Sequence, residues 1–193
     1  MTPPMRTFPS VLFLAALALG ASPVIPRETV LQIDPAQTKV EFALDSVLHT
    51  VHGEFRLKRG DIHFDPATGA AGGELVVDAA SGASGTDARD SRMRKNVLES
   101  DRYPEIVFRP DRIDGKVASE GPSHVELHGS FSIHGAAHEI SVPAEVQASG
   151  GQYTATAKFA VPYVKWGMKN PSTLFLRVSQ QVDITIHTVA RAK

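Results

Sequence analysis

Eight histidines, an adjacent arginine and aspartate, and a scatter of serines are the side chains of this 193-residue sequence with the atoms to ligate or react. Their spacing limits what they can do. His49 and His52, or His134 and His138 across an expected turn, could approach one ion if a carboxylate completed the set. His124 and His128 stand four residues apart in an alternating segment, about 13 Å along a strand, too far to share an ion by themselves. Ser84, Ser132 and His134 are of the types that build a nucleophile and its base. However, the chain contains no Gly-x-Ser-x-Gly elbow, no His-Glu-x-x-His helix and no phosphate-cradling loop. It has no cysteine, which excludes a thiolate nucleophile, a disulfide and a lipid-modified Cys. No catalytic and no metal set is assigned, and no cofactor is expected. A hydrolase whose triad is assembled from distant residues, and a metal-binding protein, stay open as alternatives.

The Arg89-Asp90 pair belongs to a short helix expected over Asp87 to Leu98, with Asp87 as its cap and Asp90 three residues on. Met93 and Val97 share one face at i,i+4. A helix this short depends on tertiary ties, and Arg89 with Asp90 is read as such a tie rather than as a head-group site. Arg89, Arg92, Arg94 and Lys95 are read as a solvated face. The helix is expected to cover or plug one mouth of whatever the surrounding strands enclose.

Those strands are announced by period-two alternation between Gly, Pro and Asp turns. Val40, Phe42 and Leu44 alternate, as do Val51, Gly53, Phe55 and Leu57, then Ile62 and Phe64, Leu75 and Val77, and Ile106 and Phe108. Ser123 to Ile133 alternates most clearly, with Phe131 on its apolar face. Ile140 to Val146, Tyr153 to Val161 with Phe159, and Val182 to Ile186 follow, with an extra strand possible at Leu174 to Val178. Short connections such as Asp65 to Gly69, Asp114-Gly115 and Ser149 to Gly151 join antiparallel neighbours. Pro143 removes a backbone donor and marks an edge, a bulge or the end of a ladder. The pattern predicts an all-β domain, an antiparallel barrel or sandwich of eight or nine strands with one inserted helix.

The inward faces mix large and small residues, Gly53, Ala79, Ala155 and Ala157 among the small. Such a mixture fits a lined lumen and a filled core alike. If a lumen exists, its expected lining is Phe42, Leu44, Phe55, Leu75, Val77, Phe108, Phe131, Tyr153 and Phe159 from the strands, Met93 and Val97 from the helix, and Trp166 and Met168 from the last long connection. Apolar burial is worth about 0.8 kcal/mol per methylene, so ten carbons offer roughly 8 kcal/mol before ordering costs. A lumen running along ten-residue strands would be about 33 Å long.

The first twenty residues have the anatomy of a secretory leader: Arg6, an apolar run from Val11 to Leu19, and small residues at Ala18 and Gly20. That run is far shorter than the roughly 20 residues a membrane-spanning helix needs. Residues 1–20 are therefore expected to be removed on export, 21–29 to form a short lead, and 30–190 to form one domain. The formal net charge of the whole chain is −1, and Arg6 is the only charge in the leader. Near-neutrality argues against a nucleic-acid partner and against strong attraction to anionic membranes.

Several short pieces recur in a fixed order: Ile33-Asp34-Pro35, Val51-His52-Gly53-Glu54-Phe55, Gly60-Asp61-Ile62-His63-Phe64, Arg89-Asp90, Tyr103-Pro104, Gly129 to Gly135, and Trp166 to Ser172. In this order the chain resembles the YceI-like family of lipocalin-like, polyisoprenoid-binding proteins. The resemblance implies an extended lipocalin-like barrel holding a polyisoprenoid or quinone-like tail, in the bacterial periplasm or outside the cell. It also makes a homodimer, and transient rather than spanning membrane contact, reasonable expectations. The rival reading is a filled barrel that acts as a protein-interaction module through its outer face or its Pro143 edge.

Overall fold

The computed structural model describes residues 28–174 and 176–193; the expected leader and most of the lead lie outside them. The strands are β1 (Thr29–Ile33), β2 (Lys39–Asp45), β3 (Thr50–Phe55), β4 (Leu57–Phe64), β5 (Ala71–Asp78), β6 (Glu105–Asp114), β7 (Gly121–Ile133), β8 (Ala136–Ser149), β9 (Gln152–Val161) and β10 (Val182–Ala192). Every pairing is antiparallel. β1 and β2 lie end to end along one edge of β10, and β4 and β3 continue beside them, so each couple acts as one broken strand. Counted that way, eight strands close into a barrel when β1 and β2 meet β10. Closure leaves no free sheet edge along most of the circumference.

Alternation decides which residues look inward, and two bulges reset it. Between Leu57 and Arg59 an extra residue is inserted opposite β5, so the inward set changes from Phe55 and Leu57 to Gly60, Ile62 and Phe64. Between Pro110 and Arg112 the same happens in β6, turning Ile113 inward after Phe108. The outward residues around the first bulge pair their charges. Arg59 meets Glu74 at 2.9 Å, Arg109 meets Glu74 at 2.9 Å, and Lys58 meets Glu105 at 2.8 Å. Val76 and Val107, neighbours in register on this outer face, are buried among them.

The inserted segment between β5 and β6 departs in detail from the expected helix. A single 3-10 turn (Ala79–Ser81) leads to α1 (Asp87–Arg92), which continues as one π turn (Met93–Val97). Thr86, not Asp87, occupies the cap position, and its side chain makes no capping bond. The segment is pinned instead by tertiary contacts. Ala83 exchanges backbone hydrogen bonds with Glu54 at 2.9 and 3.0 Å. At its far end the Tyr103 ring lies against Gly135, where a Cβ would collide with it. His134 and Gly135, both at positive φ, form the two-residue turn between β7 and β8.

Among the described residues of the Leu174 to Val178 stretch no strand forms; the stretch contributes one isolated bridge, Ser46 to Val178. Pro143 does mark a ladder end. β8 pairs with β9 only from Ala144 onward, so Ala136 to Pro143 has no ladder partner on that side. The connection after β9 fills the seam. It folds as a tight turn in which Met168 N donates to the Tyr163 carbonyl at 3.0 Å, and it lays Trp166 flat on His138, ring centroids 4.0 Å apart.

Candidate ligand cavity

The two ends of the barrel are packed differently. Away from the helix, Phe64, Ile113, Val125 and Ala144 form one buried cluster, and Ile33, Leu57, Leu75 and Ala190 belong to another. A void of about 70 Å³ lies there. At the helix end the lumen is open, a cavity of about 570 Å³. At roughly 30 Å³ per water-sized group, that space holds about nineteen non-hydrogen atoms. The lumen therefore does not run the full length of the strands as expected, because large side chains fill its far half.

Nine of the thirteen expected lining residues face this cavity: Phe42, Leu44, Phe55, Val77, Met93, Val97, Phe131, Phe159 and Met168. They come from β2, β3, β5, β7, β9, the π turn and the β9–β10 connection. Local packing explains several placements. Phe42 lies directly over Gly53, its partner in register, because a Cβ there would strike the ring and the Ala83 carbonyl. Phe42 and Phe55 then meet with centroids 5.3 Å apart. Gly82 likewise leaves room for the tip of Met93 and the edge of Phe55. Phe131 packs edge-on against Phe159 at 5.8 Å.

The other four lie elsewhere. Leu75 is buried in the filled half, and Tyr153 borders its small void. Phe108 packs between the cluster around Leu57 and Leu75 and the one around Phe131 and Ile133 without lining the cavity. Trp166 stands behind Phe131, centroids 5.9 Å apart, and acts as a plug in the β8–β9 seam. Met168, two residues on, takes the place at the wall and is almost fully buried.

Other wall residues were not singled out by sequence reasoning. Val40, Ile133, Val161, Val182, Ile184 and Ile186 extend the alternation of strands whose aromatic members drew attention. The polar rim had no local signal. Ser46 and His49 come from the β2–β3 turn, and Ser84, Thr86, Arg89 and Arg92 from the helix and the loop before it. Both segments reach the same mouth, because the chain leaving Ala83 runs antiparallel to β3, back toward that turn. Tyr163 also lines the wall, but its hydroxyl is engaged, donating to the Ser179 carbonyl at 2.6 Å, and burial pushes its pKa up.

Arg89 and Asp90 do not pair with each other; they converge on Ser84. Asp90, buried, accepts from the Ser84 amide at 2.9 Å and from its hydroxyl. Arg89 donates to Ser84 Oγ at 2.7 Å, to the Ser84 carbonyl at 2.9 Å and to Thr86 Oγ1 at 3.0 Å. The pair thus ties α1 to its own leading loop, and Ala83 ties that loop to the barrel. Among the described residues, no group of three or more His, Asp or Glu side chains could hold a metal ion. His128 instead contacts Ser141 at 2.7 Å and Asp114 at 2.9 Å. Among the described residues, no helix is long and apolar enough to cross a membrane, which does not bear on strands.

The eight strands thus close into an antiparallel barrel that is filled at one end and hollow at the other. The YceI-like domain model matches residues 31–190, and the chain belongs to that family. No curated protein matches its sequence. Among solved structures, BcnA of Burkholderia cenocepacia is similar with a TM-score of 0.67 at 20% identity, over 81% of this chain and 98% of that one. A polyisoprenoid binding domain from Saccharophagus degradans, implicated in plant cell wall breakdown, superimposes with a TM-score of 0.66 at 16% identity, covering 84% and 98%. The Campylobacter jejuni YceI protein gives 0.56 at 17% identity, covering 69% and 80%. At these identities the likeness is one of fold.

Proposed function

We propose that this protein is an exported carrier that sequesters the tail of a polyisoprenoid, quinone or similar long apolar lipid inside the barrel. The single observation that carries the reading is the 570 Å³ cavity walled by aliphatic and aromatic side chains and bordered by polar groups at one mouth only. A polar metabolite would find few partners there, whereas each methylene taken from water contributes about 0.8 kcal/mol. Membership of the YceI-like family and the polyisoprenoid-binding character of the Saccharophagus neighbour support the same class of cargo. The leader-like first twenty residues support export to the periplasm or beyond.

Transient membrane contact is part of the proposal. Val47, Leu48 and Leu174, 64%, 74% and 87% exposed, are the large apolar side chains most given over to solvent among the described residues. They lie on two loops joined near the cavity mouth by the Ser46 to Val178 bridge and a Val47 N to Arg177 carbonyl bond of 3.1 Å. Apolar loop tips beside an opening suit a carrier that collects cargo from a bilayer.

Native mass spectrometry of the protein from its exported fraction, followed by organic extraction, tests the reading. A stoichiometric isoprenoid or other long-chain lipid is expected, and the mass counts the chains, testing the expected homodimer. A bare polypeptide that takes up no added isoprenoid or fatty chain would shift the function to the outer surface of the barrel.

A further inference from the structure

Resting on the carrier reading, we propose that the cargo bears an acidic head, a carboxylate or a phosphate, seated at the mouth against Arg89 and Arg92. Among the described residues, the only charged side chains lining the cavity are these two arginines, and no carboxylate lines it. No Asp or Glu of the described residues pairs with either guanidinium within the 4.0 Å of an ion pair. By contrast, Arg59 and Arg109 on the barrel wall are matched by Glu74, and Arg112 by Asp114. The nearest carboxylate in sequence, Asp90, is turned into the loop and occupied by Ser84.

Arg89 is also held in place before any ligand arrives. Its Nε and Nη2 are fixed by Ser84 and Thr86, which leaves Nη1 without a partner among the described residues. A guanidinium oriented in this way is suited to an oxyanion, because little side-chain freedom remains to be lost. Arg92, one turn on, is exposed and lines the same opening, and its side chain makes no hydrogen bond among the described residues. Ser46 and His49 add polar atoms across the mouth. With the tail in the apolar interior, the head group emerges between the two polar segments, where the local charge is positive.

Competition by native mass spectrometry tests this. The lipid-free protein is offered equimolar hexadecanoic acid and hexadecanol, and separately geranylgeranyl phosphate and geranylgeraniol, at pH 8. The acidic member of at least one pair is expected to win by about tenfold, with the advantage shrinking at high salt. A carboxylate preference would point to a fatty-acid-like head and a phosphate preference to a prenyl phosphate. Arg92→Gln is expected to cut the acid-over-alcohol preference severalfold, and Arg92→Lys to restore most of it. Equal uptake of acid and alcohol in both pairs would overturn the head-group assignment and leave the carrier reading standing. Uptake of none of the four would overturn both.

Discussion

Phe131 touches Phe159 on one side and Trp166 on the other while facing the cavity, so its ring is wall and support at once. Phe131→Asp is expected to place an unpaired carboxylate against the cargo and abolish lipid retention, as is Phe55→Asp; lipid co-purifying with each variant is the measurement. A folded variant that keeps its full lipid content would show that these faces do not hold the tail. Gly53→Ala should displace Phe42 from the wall and cost about 1–3 kcal/mol, read from the denaturation midpoint, because both the ring and the Ala83 carbonyl block a Cβ. At this scale the sequence is legible wherever a residue obeys strict alternation, as Phe42, Phe55, Phe131 and Phe159 do. It is opaque where placement depends on distance along the barrel. Tyr153 has the inward parity of Phe159 but lies six residues nearer the filled end, and nothing in their types separates them.

Most strands and their antiparallel joining could be read from periodicity and short turns, but β1 and the end-to-end couples along β10 could not, and the parity changes at the Leu57/Arg59 and Pro110/Arg112 bulges are set by cross-strand pairing and leave no local mark. The inserted helix was legible as a helix, but its π turn and its anchorage through Ser84 were not, since these depend on contacts the chain makes only when folded. Asp90→Ala should leave the Ser84 amide unpaired and loosen residues 84–98, at a cost of about 1–3 kcal/mol. Hydrogen exchange is expected to quicken in that segment and to stay slow in β7 and β8. The charge cluster outside β4, β5 and β6 predicts a pH dependence. The Lys58 ammonium bonded to Glu105, with Arg59 beside it, holds the Glu105 carboxyl below the usual carboxylate range, against the smaller opposing effect of desolvation. Its folded pKa is therefore depressed, so its contribution to stability is present above the ordinary glutamate pKa and is lost as the pH falls through the lowered value. Glu105→Gln should flatten that part of the acid limb in a melting-temperature profile taken below the ordinary glutamate pKa.

For the molecule as a whole, the half-filled barrel makes cargo and stability interdependent. A lipid at a hundred times its dissociation constant adds about 2.7 kcal/mol to the folded state. For a domain of this size that raises the melting temperature by about 5–10 °C. Delipidated protein should melt correspondingly lower and recover on adding the extracted lipid, which calorimetry can follow. An antiparallel barrel or sandwich of eight or nine strands could be foreseen from alternation and short turns, and closure into a barrel only from the family resemblance; the division of the lumen into a packed half and a hollow half could not, because it is decided by the summed volumes of side chains from every strand. The seam between β8 and β9 gives the molecule a mechanical character as well. Most of the wall is hydrogen-bonded sheet, which widens only by breaking ladder bonds. Along Ala136 to Pro143 the closure consists of Trp166 and its neighbours lying against side chains, and such contacts part by rotamer rotation. The barrel can thus yield along this meridian, so a cargo bulkier than the resting cavity would dilate it there, with the chain's only tryptophan riding on the moving panel as a built-in fluorescent strain gauge.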